Sequence, residues 1–523
     1  MRKIVSFLMF TLMLLTLVSV SLAQDEQVLV YGIAENTDSL DPARGYTPQE
    51  GTVNHATYET LVTWPPSDNT EVLPMLAESW TISEDGLTYT FTLRSDVTFH
   101  DGSPMVASDV VFSFLRLKYV GGNPSFLAES IASVEAPDDT TVVITLSQAD
   151  PAILAKLASA PFSVVSEAIV TANGGTAAED AAETDAAEAF LNSTSAGTGP
   201  YVLESWEQSV TTVLVRNENY WGEAPFFDRI IFQNIPEAAS QAAALQVGDI
   251  DIAADITADQ IESLTANGDV VIEQVATPTI MFLLFNQDES IGGPVSNPDV
   301  QRAIRYAIDY ESILALTGGS GVQPPSVIPV GFAGALPNEE VIVRDVEMAR
   351  SLLAEAGYAD GFTIDLQYPE FTLQGVAIGD VAQVVQANLA EVGITVNLAP
   401  GELLAELDLY RNGQEGLGLW WWSPDFQDAV SNLEFLPART VGNRVNWTDE
   451  NSDAEIQEVR DQAFAETDAA ARAELVQQAQ RYLQENGPFA PLAQVGRQIG
   501  LRADITGFTF NPQWDVDVIQ LAR

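Results

Sequence analysis

The chain has 523 residues and no cysteine, and it carries 22 basic against 74 acidic residues, a formal net charge of −52 at pH 7. The lack of cysteine excludes disulfide bonds, thiolate chemistry and cysteine-ligated metals. A charge this negative repels nucleic acid and anionic lipid, so neither is expected as a partner. With 46% hydrophobic residues the chain is not of the disordered class, and its length predicts more than one hydrophobic core.

The N-terminus has the pattern of an export signal. Arg2 and Lys3 precede an apolar run over residues 4–20, and small residues follow at the positions that a signal peptidase recognises. We expect cleavage after Ala23, with an uncleaved membrane anchor as the alternative. No second long apolar stretch follows, so we expect no stable membrane insertion once the signal is cleaved.

Residues 77–109 contain the clearest pattern of local structure. Residues 84–86, Glu-Asp-Gly, form a turn signal between two apolar-alternating runs. The apolar residues after this turn fall on one face of a strand: Leu87, Tyr89, Phe91 and Leu93. The pattern predicts a half-buried hairpin, followed by a helix in which apolar residues recur at helical spacing: Val110, Val111, Phe114 and Leu117.

The same stretch contains, in order, AESW, DGLTYTF, LR, FHDG and DVVFSF. This string resembles the signature of the large extracellular solute-binding proteins of ABC importers, family 5, which includes oligopeptide-, dipeptide- and nickel-binding receptors. GTGPY at 197–201, RNENYWG at 216–222 and RAIRYAIDYESI at 302–313 are similar to the same family. The resemblance implies an α/β, two-lobed periplasmic-binding-protein (Venus-flytrap) fold with an extra subdomain in the first lobe.

With the resemblance as a guide, the chain divides into a signal peptide, 1–23, a first lobe, 24–285, a second lobe, 286–490, and a return to the first lobe, 491–523. About 54–193 would be the inserted subdomain. Within the second lobe, strand, helix and strand alternate over residues 362–398, which predicts a βαβ unit and a parallel sheet. Two or three strands crossing between the lobes would form a hinge.

Two segments of the first lobe depart from the simplest pattern. Val106 stands where the family usually has a helix-capping threonine, which predicts a cost of about 1 kcal/mol in helix stability. Asp109 in the first turn still complements the helix dipole. Residues 171–195 are rich in Ala, Asp and Glu, and we interpret them as an acidic surface insertion, partly helical, without a site.

Residues 417–428, LGLWWWSPDFQD, are the most informative site candidate. They resemble a family segment in which a tryptophan precedes an acidic residue by three positions, and the counterparts here are Trp422 and Asp425. In peptide-binding members that aspartate pairs with the α-ammonium of the ligand. In an extended segment Trp420 points the same way as Trp422, so it is a candidate too. The alternative is a tryptophan cluster in the core with a surface aspartate.

Two further residues are candidates for ligand contact. Tyr46 lies in a loop after the first predicted strand, where ligands of open α/β sheets usually bind, although the loop could be an ordinary connection. Asn286 ends the continuous apolar run 281–285, which has the pattern of a buried strand.

The sequence argues against an enzyme. Only two histidines are present, His55 and His100, and the motifs of metal hydrolysis and of a catalytic triad are missing. The 74 acidic residues leave a carboxylate-only mechanism open. We expect no cofactor and no metal.

The resemblance implies a periplasmic receptor that encloses a small molecule or short peptide between its lobes and delivers it to the permease of an ABC importer. We expect a monomer, and the absence of a lipid-anchor cysteine favours the periplasm. An oligosaccharide receptor is the first alternative, because the three adjacent tryptophans offer flat apolar faces. A chemosensory or chaperone protein with the same fold is the second. The acidity fits attraction of cationic ligands, tolerance of salt, or solubility alone.

Overall fold

The structure is a computed structural model that describes residues 26–34, 37–67, 71–266 and 268–523. The predicted signal peptide, 1–23, lies outside the described residues. Within these ranges, none of the helices combines the length and the apolar composition that a membrane span needs.

The described strands, in chain order, are β1 (Val28–Ile33), β2 (Val62–Thr63), β3 (Leu73–Pro74), β4 (Ala77–Ile82), β5 (Thr88–Leu93), β6 (Ile131–Asp138), β7 (Thr141–Leu146), β8 (Tyr201–Glu207), β9 (Thr211–Arg216), β10 (Arg229–Asn234), β11 (Ile252–Ala253), β12 (Val270–Phe285), β13 (Phe362–Pro369), β14 (Thr372–Leu373), β15 (Val376–Ala377), β16 (Ile394–Gly401), β17 (Leu417–Trp422), β18 (Phe489–Arg502), β19 (Phe510–Asn511) and β20 (Asp515–Val516).

The described α-helices are α1 (Pro48–Thr57), α2 (Ala107–Val120), α3 (Ile153–Leu157), α4 (Glu167–Ala172), α5 (Ala181–Thr184), α6 (Glu188–Leu191), α7 (Ala238–Val247), α8 (Ile261–Thr265), α9 (Glu289–Gly292), α10 (Pro298–Ala307), α11 (Tyr310–Ala315), α12 (Val346–Glu355), α13 (Ile378–Glu391), α14 (Leu403–Arg411), α15 (Thr440–Asn443), α16 (Ala454–Ala465) and α17 (Ala469–Asn486). Short 3-10 helices occupy Asn123–Ala128, Ala160–Phe162, Ala258–Gln260, Gly293–Ser296, Asn338–Glu340 and Ala429–Phe435.

One sheet runs through both parts of the chain, with the strand order β16-β13-β17-β12-β18-β11-β1-β10-β9-β8. On one side of the central pair β12–β18 lie strands from the second half of the chain, and on the other side strands from the first half. β13 pairs in parallel with β16, with Phe362 opposite Ile394, and helix α13 connects them. The predicted βαβ unit is therefore confirmed.

The central strands β12 and β18 cross from one part of the sheet to the other. They pair antiparallel from Val270 opposite Arg502 to Leu284 opposite Phe489, so each strand is long enough to belong to both parts. The register shifts between Ala276 and Ile280, around Pro278, because proline has no N–H to donate to the ladder. The predicted lobe bounds at 285/286 and 490/491 fall at the ends of these strands, and they stay a prediction.

A smaller antiparallel sheet, in the order β4-β5-β7-β6, lies within the predicted subdomain, 54–193. The predicted hairpin is confirmed: β5 buries Tyr89, Phe91 and Leu93, and β4 pairs with it across the turn. Helix α2 begins after Val106, whose N–H donates to Oδ2 of Asp109 at 2.9 Å. The valine side chain has no acceptor with which to cap the helix. The carboxylate of Asp109, in the first turn, stabilises the start of the helix instead.

The loop that follows β1 is fixed by a buried ion cluster. Arg116 of α2, 1% exposed, donates to both carboxylate oxygens of Asp41 at 2.7 Å, and its Nε donates to Asp185 at 2.8 Å. Nη2 of Arg44 also donates to Asp185, at 3.1 Å. The interpretation of residues 171–195 as a surface insertion is therefore wrong at Asp185, because this carboxylate is buried as the partner of two arginines.

Removing the central arginine should destabilise the fold strongly. In Arg116→Met two buried carboxylates lose their main partner, and loss of one member of a buried ion pair costs about 3–5 kcal/mol. We expect a decrease of that size in the free energy of unfolding, measured by urea denaturation at pH 7.5. The control is Arg350→Met, which removes an exposed i,i+3 pair with Glu347 and should cost less than about 1 kcal/mol. Equal losses in the two variants would contradict the structural role of the cluster.

Candidate functional site

A cavity of about 210 Å³ lies between the loop after β1 and the segment after β17. One wall is formed by residues 45–48 and 50–51, with contributions from 160–161 and 512–513. The opposite wall is formed by Ser423, Pro424, Asp425 and Gln427. Since these walls belong to distant parts of the sequence, the cavity exists only because the two parts of the molecule meet there.

Tyr46 bridges the cavity. Its hydroxyl donates to the backbone carbonyl of Asp425 at 2.7 Å, a contact between residues 379 positions apart. Immediately after it, Thr47 caps helix α1 and forms a capping box with Glu50. Two predicted site residues, Tyr46 and Asp425, are thus brought together.

Asp425 presents a carboxylate to this cavity. Its backbone N–H donates to Oγ of Ser431 at 2.9 Å, which holds the segment, while none of the described residues donates to its side-chain oxygens. Burial raises the pKa of Asp425 to about 6; Glu434 acts in the same direction, and Arg444 and Lys156 oppose it. At neutral pH the group is therefore mostly an anion with unused acceptor capacity.

Glu50 is a second carboxyl in the cavity, and the sequence analysis missed it. It accepts from the N–H of Thr47 at 3.2 Å and from Nδ2 of Asn54 at 3.3 Å, and burial raises its pKa well above the usual range. A Cβ on Gly45 would lie 2.1 Å from a carboxylate oxygen of Glu50, so glycine is needed for this close approach. The sequence Thr-Pro-Gln-Glu, a capping box, was the signal that could have located Glu50.

The other predicted residues do not line this cavity. Trp420 is 2% exposed, stacks on Tyr410 at 4.6 Å and donates to Glu415 at 2.6 Å. Asn286 is fully buried and donates to the carbonyls of Gly413 and Glu415. It therefore holds the end of β12 to the loop that precedes β17. The structure places both side chains in the core, so we leave them out of the proposed site.

Trp422 is half-buried on the same face of β17 as Trp420, as the strand period predicts. Its ring lies edge-on to Phe435 at 6.2 Å, and the guanidinium of Arg444 lies 5.5 Å above it. The third tryptophan, Trp421, stacks on Phe371. The three rings therefore do not form one continuous exposed surface, which removes the observation that favoured an oligosaccharide ligand.

The fold and this cavity between two lobes define a solute-binding protein. Residues 71–443 match the family model described as bacterial extracellular solute-binding proteins, family 5, and the chain belongs to that family. The resemblance found in the sequence is confirmed, and so is the two-lobed α/β fold class.

Curated relatives and solved structures agree with this membership. The chain is 30% identical over 502 residues to the probable D,D-dipeptide-binding periplasmic protein DdpA of Escherichia coli K12. The alignment covers 94% of this chain and 93% of that protein. It is 29% identical over 497 residues to heme-binding protein A of Haemophilus influenzae, 90% of this chain and 88% of that one. The structure of HbpA2 from Haemophilus parasuis aligns with a TM-score of 0.82 at 26% identity, over 95% of this chain and 99% of that chain.

The burial of Asp425 predicts a stability cost that depends on pH. Above about pH 6 the folded state holds an unfavourable anion, whereas below about pH 3 the acid is protonated in both the folded and the unfolded state. Asp425→Asn should therefore raise the free energy of unfolding of the ligand-free protein by about 1–3 kcal/mol at pH 7.5 and leave it nearly unchanged near pH 3. Denaturation curves at the two pH values measure this. Asp360→Asn, at an exposed position, is the control and should show no such difference.

Proposed function

We propose that the protein is a periplasmic receptor that binds short peptides in the cavity between Tyr46 and Asp425 and delivers them to the permease of an ABC importer. The observation that carries the proposal is the anionic, unsatisfied carboxylate of Asp425 in a two-walled cavity. The relative from Escherichia coli, named for D,D-dipeptides, supports the same ligand class.

The chemistry of the cavity fits an α-ammonium group. An ammonium has three N–H donors, and an ionised carboxylate accepts without donating, so the two are complementary. A charge-assisted hydrogen bond of this kind is roughly twice as strong as a neutral one. The backbone carbonyl of Asp425 accepts from Tyr46, whereas the ionised side chain accepts from none of the described residues and is the stronger acceptor for a cation.

Closure of the lobes follows from the position of the site. A ligand can contact both walls at once only when the walls are close. It therefore binds the closed form more tightly than the open form, and this difference in affinity shifts the open–closed equilibrium toward the closed form. The receptor would act as a monomer, since one chain supplies both walls. Export through the predicted signal, 1–23, would place it in the periplasm.

Binding of the amino terminus is tested by a double comparison. Asp425→Asn should weaken the binding of Ala-Ala by about 10- to 150-fold, because a hydrogen bond to a charged group contributes about 1.5–3 kcal/mol. N-acetyl-Ala-Ala, which lacks the ammonium, should bind the natural protein more weakly by a similar factor. In the variant, acetylation should have little further effect, since the partner is already gone. Isothermal titration calorimetry at pH 7.5 gives all four dissociation constants.

The control for this comparison is Asp360→Asn, which should bind both ligands as the natural protein does. If Asp425→Asn binds Ala-Ala as tightly as the natural protein does, the assignment of the ammonium to this residue is wrong. Failure of every dipeptide and tripeptide to bind or to raise the melting temperature would reject peptide binding itself.

Affinity should also decrease in acid. Protonation of Asp425 with a pKa of about 6 leaves roughly a tenth of the free receptor ionised at pH 5, so the apparent dissociation constant for Ala-Ala should increase about tenfold between pH 7.5 and pH 5. Asp425→Asn should lose most of this dependence. If the dissociation constant of the variant still depends on pH, other groups are responsible, and Glu50 and Glu434 are the nearest candidates.

The transport role is tested in cells. Deletion of the permease genes that serve this receptor should abolish the uptake of the peptides that it binds. Unchanged uptake would favour a chemosensory or chaperone role for the same fold.

A further inference from the structure

A second cavity, of about 250 Å³, lies at the crossing strands. It is lined by residues 254–257 after β11, by Thr372 of β14 with Gln374 and Gly375 of the turn that follows, and by Arg497 and Gln498 of β18, with Ala34, Pro236 and Ala238 at its edge. A single water needs roughly 10–15 Å³ of such volume, so the space accommodates a group much larger than one water. We call it the hinge cavity.

The hinge cavity adjoins the cavity of Asp425. Ser423, which lines the latter, is hydrogen-bonded through its Oγ to Oγ1 of Thr279 at 2.8 Å. The same Thr279 oxygen accepts from Nε2 of Gln374, which lines the hinge cavity, at 3.3 Å. One short hydrogen-bonded series thus links the walls of the two cavities.

Acidic side chains outnumber basic ones at the walls of the two cavities and directly behind them. Among the described residues that line the first cavity, Glu50 and Asp425 are carboxyl groups and none is Lys or Arg. The hinge cavity has one arginine, Arg497, which is paired with the buried Asp515 at 2.5 Å. Arg497 also lies 3.5 Å from Asp255, so a single guanidinium is shared by two carboxylates and the three groups keep a net negative charge.

Asp255 has acceptor capacity for a ligand. Its side chain is 33% exposed, accepts from Nε2 of Gln241 at 3.1 Å and lies 3.5 Å from Nη2 of Arg497, at the outer limit of a hydrogen bond. An ionised carboxylate accepts about four hydrogen bonds, so these contacts do not saturate it.

A second acceptor lies in the same wall. Gln498 is 6% exposed, and its Nε2 donates to the carbonyl of Thr317 at 3.1 Å. Its Oε1 is buried and has no hydrogen-bond partner among the described residues. A buried acceptor without a donor is costly, so a turn of the Gln498 side chain that brings Oε1 to a donor on a guest in the cavity would be favoured.

The turn that closes the cavity is held in an unfavourable conformation. Gln374 has φ +47°, which is uncommon for a residue with a side chain, and its amide bonds to Thr277 and Thr279 on either side of Pro278. The turn is thus fixed against the interrupted part of the crossing strands. A guest in the hinge cavity contacts this turn, the β11 side and β18 together.

We propose that the hinge cavity binds the basic side chain, lysine or arginine, of a peptide whose amino terminus is held by Asp425. This inference rests on the proposed function, and it specifies the substrate class. Lysine brings three donors and arginine five, all charged, to a wall that offers the carboxylate of Asp255 and the amide oxygen of Gln498. The net charge of −52 favours the approach of such cationic peptides.

The test compares lysine with norleucine, a side chain of similar length without the ammonium. Ala-Lys, Ala-Ala-Lys and their norleucine counterparts are titrated into the full protein by calorimetry at pH 7.5. We expect at least one lysine peptide to bind about tenfold or more tightly than its norleucine counterpart, as a charge-assisted hydrogen bond implies. The wild-type comparison requires no variant, so folding defects cannot obscure it.

The variant that locates the preference is Asp255→Asn, which keeps the shape and removes the charge. In this variant the lysine-to-norleucine ratio of dissociation constants should approach one. Asp259→Asn, at an exposed position four residues further on, should keep the ratio of the natural protein. A ratio unchanged by Asp255→Asn, or norleucine peptides that bind the natural protein as tightly as lysine peptides, overturns the proposal.

These outcomes are distinct from failure of the proposed function. If Ala-Ala binds in a manner that depends on Asp425 while lysine gives no advantage, the peptide receptor stands and the hinge-cavity assignment is wrong. If none of the peptides binds, both are rejected.

Discussion

The antiparallel pairing of β12 with β18 is the constraint on which the rest of the molecule depends. The two strands belong to both parts of the main sheet, so every residue of one wall of the site is positioned relative to the other through them. Pro278 interrupts their ladder, and its neighbours Thr277 and Thr279 turn their hydroxyl groups to Gln374 and Ser423 instead. The weakest point of the pairing is thus also the border between the two cavities.

The buried charged groups of this protein are of two kinds, those with partners for their charge and those with acceptors left free. The Arg116 cluster is internally satisfied, with two aspartates sharing one guanidinium, and it fixes the loop that carries Tyr46. Asp425 and Asp255 are left with spare acceptor capacity, and for Asp425 the cost appears as a raised pKa. Unsatisfied groups are expected at functional sites and satisfied ones in the scaffold, because a receptor must keep free the bonds that its ligand will complete.

An acidic receptor gains in two ways from this arrangement. A net charge of −52 attracts cationic solutes, but salt screens this attraction beyond about 10 Å at 0.1 M. The net charge therefore affects the rate of association more than the choice of ligand. Specificity needs local contacts, and the two cavities supply a carboxylate at each end of the proposed peptide path. The heme-binding relative indicates that the family fold itself does not choose the ligand, which leaves the choice to such side chains.

The sequence by itself determined the local elements and the family. The β4–β5 hairpin, helix α2 and the βαβ unit follow from alternation, helical spacing and turn residues, all of which act over a few positions. Only the tertiary structure decided that Trp420 lies in the core, that Asp185 is a buried partner of Arg116, and that Tyr46, Glu50 and Asp425 share one cavity. Each of these facts depends on contacts between separate elements of the chain, from the 69 positions between Arg116 and Asp185 to the 379 between Tyr46 and Asp425, and the local pattern around one residue contains no information about such a partner.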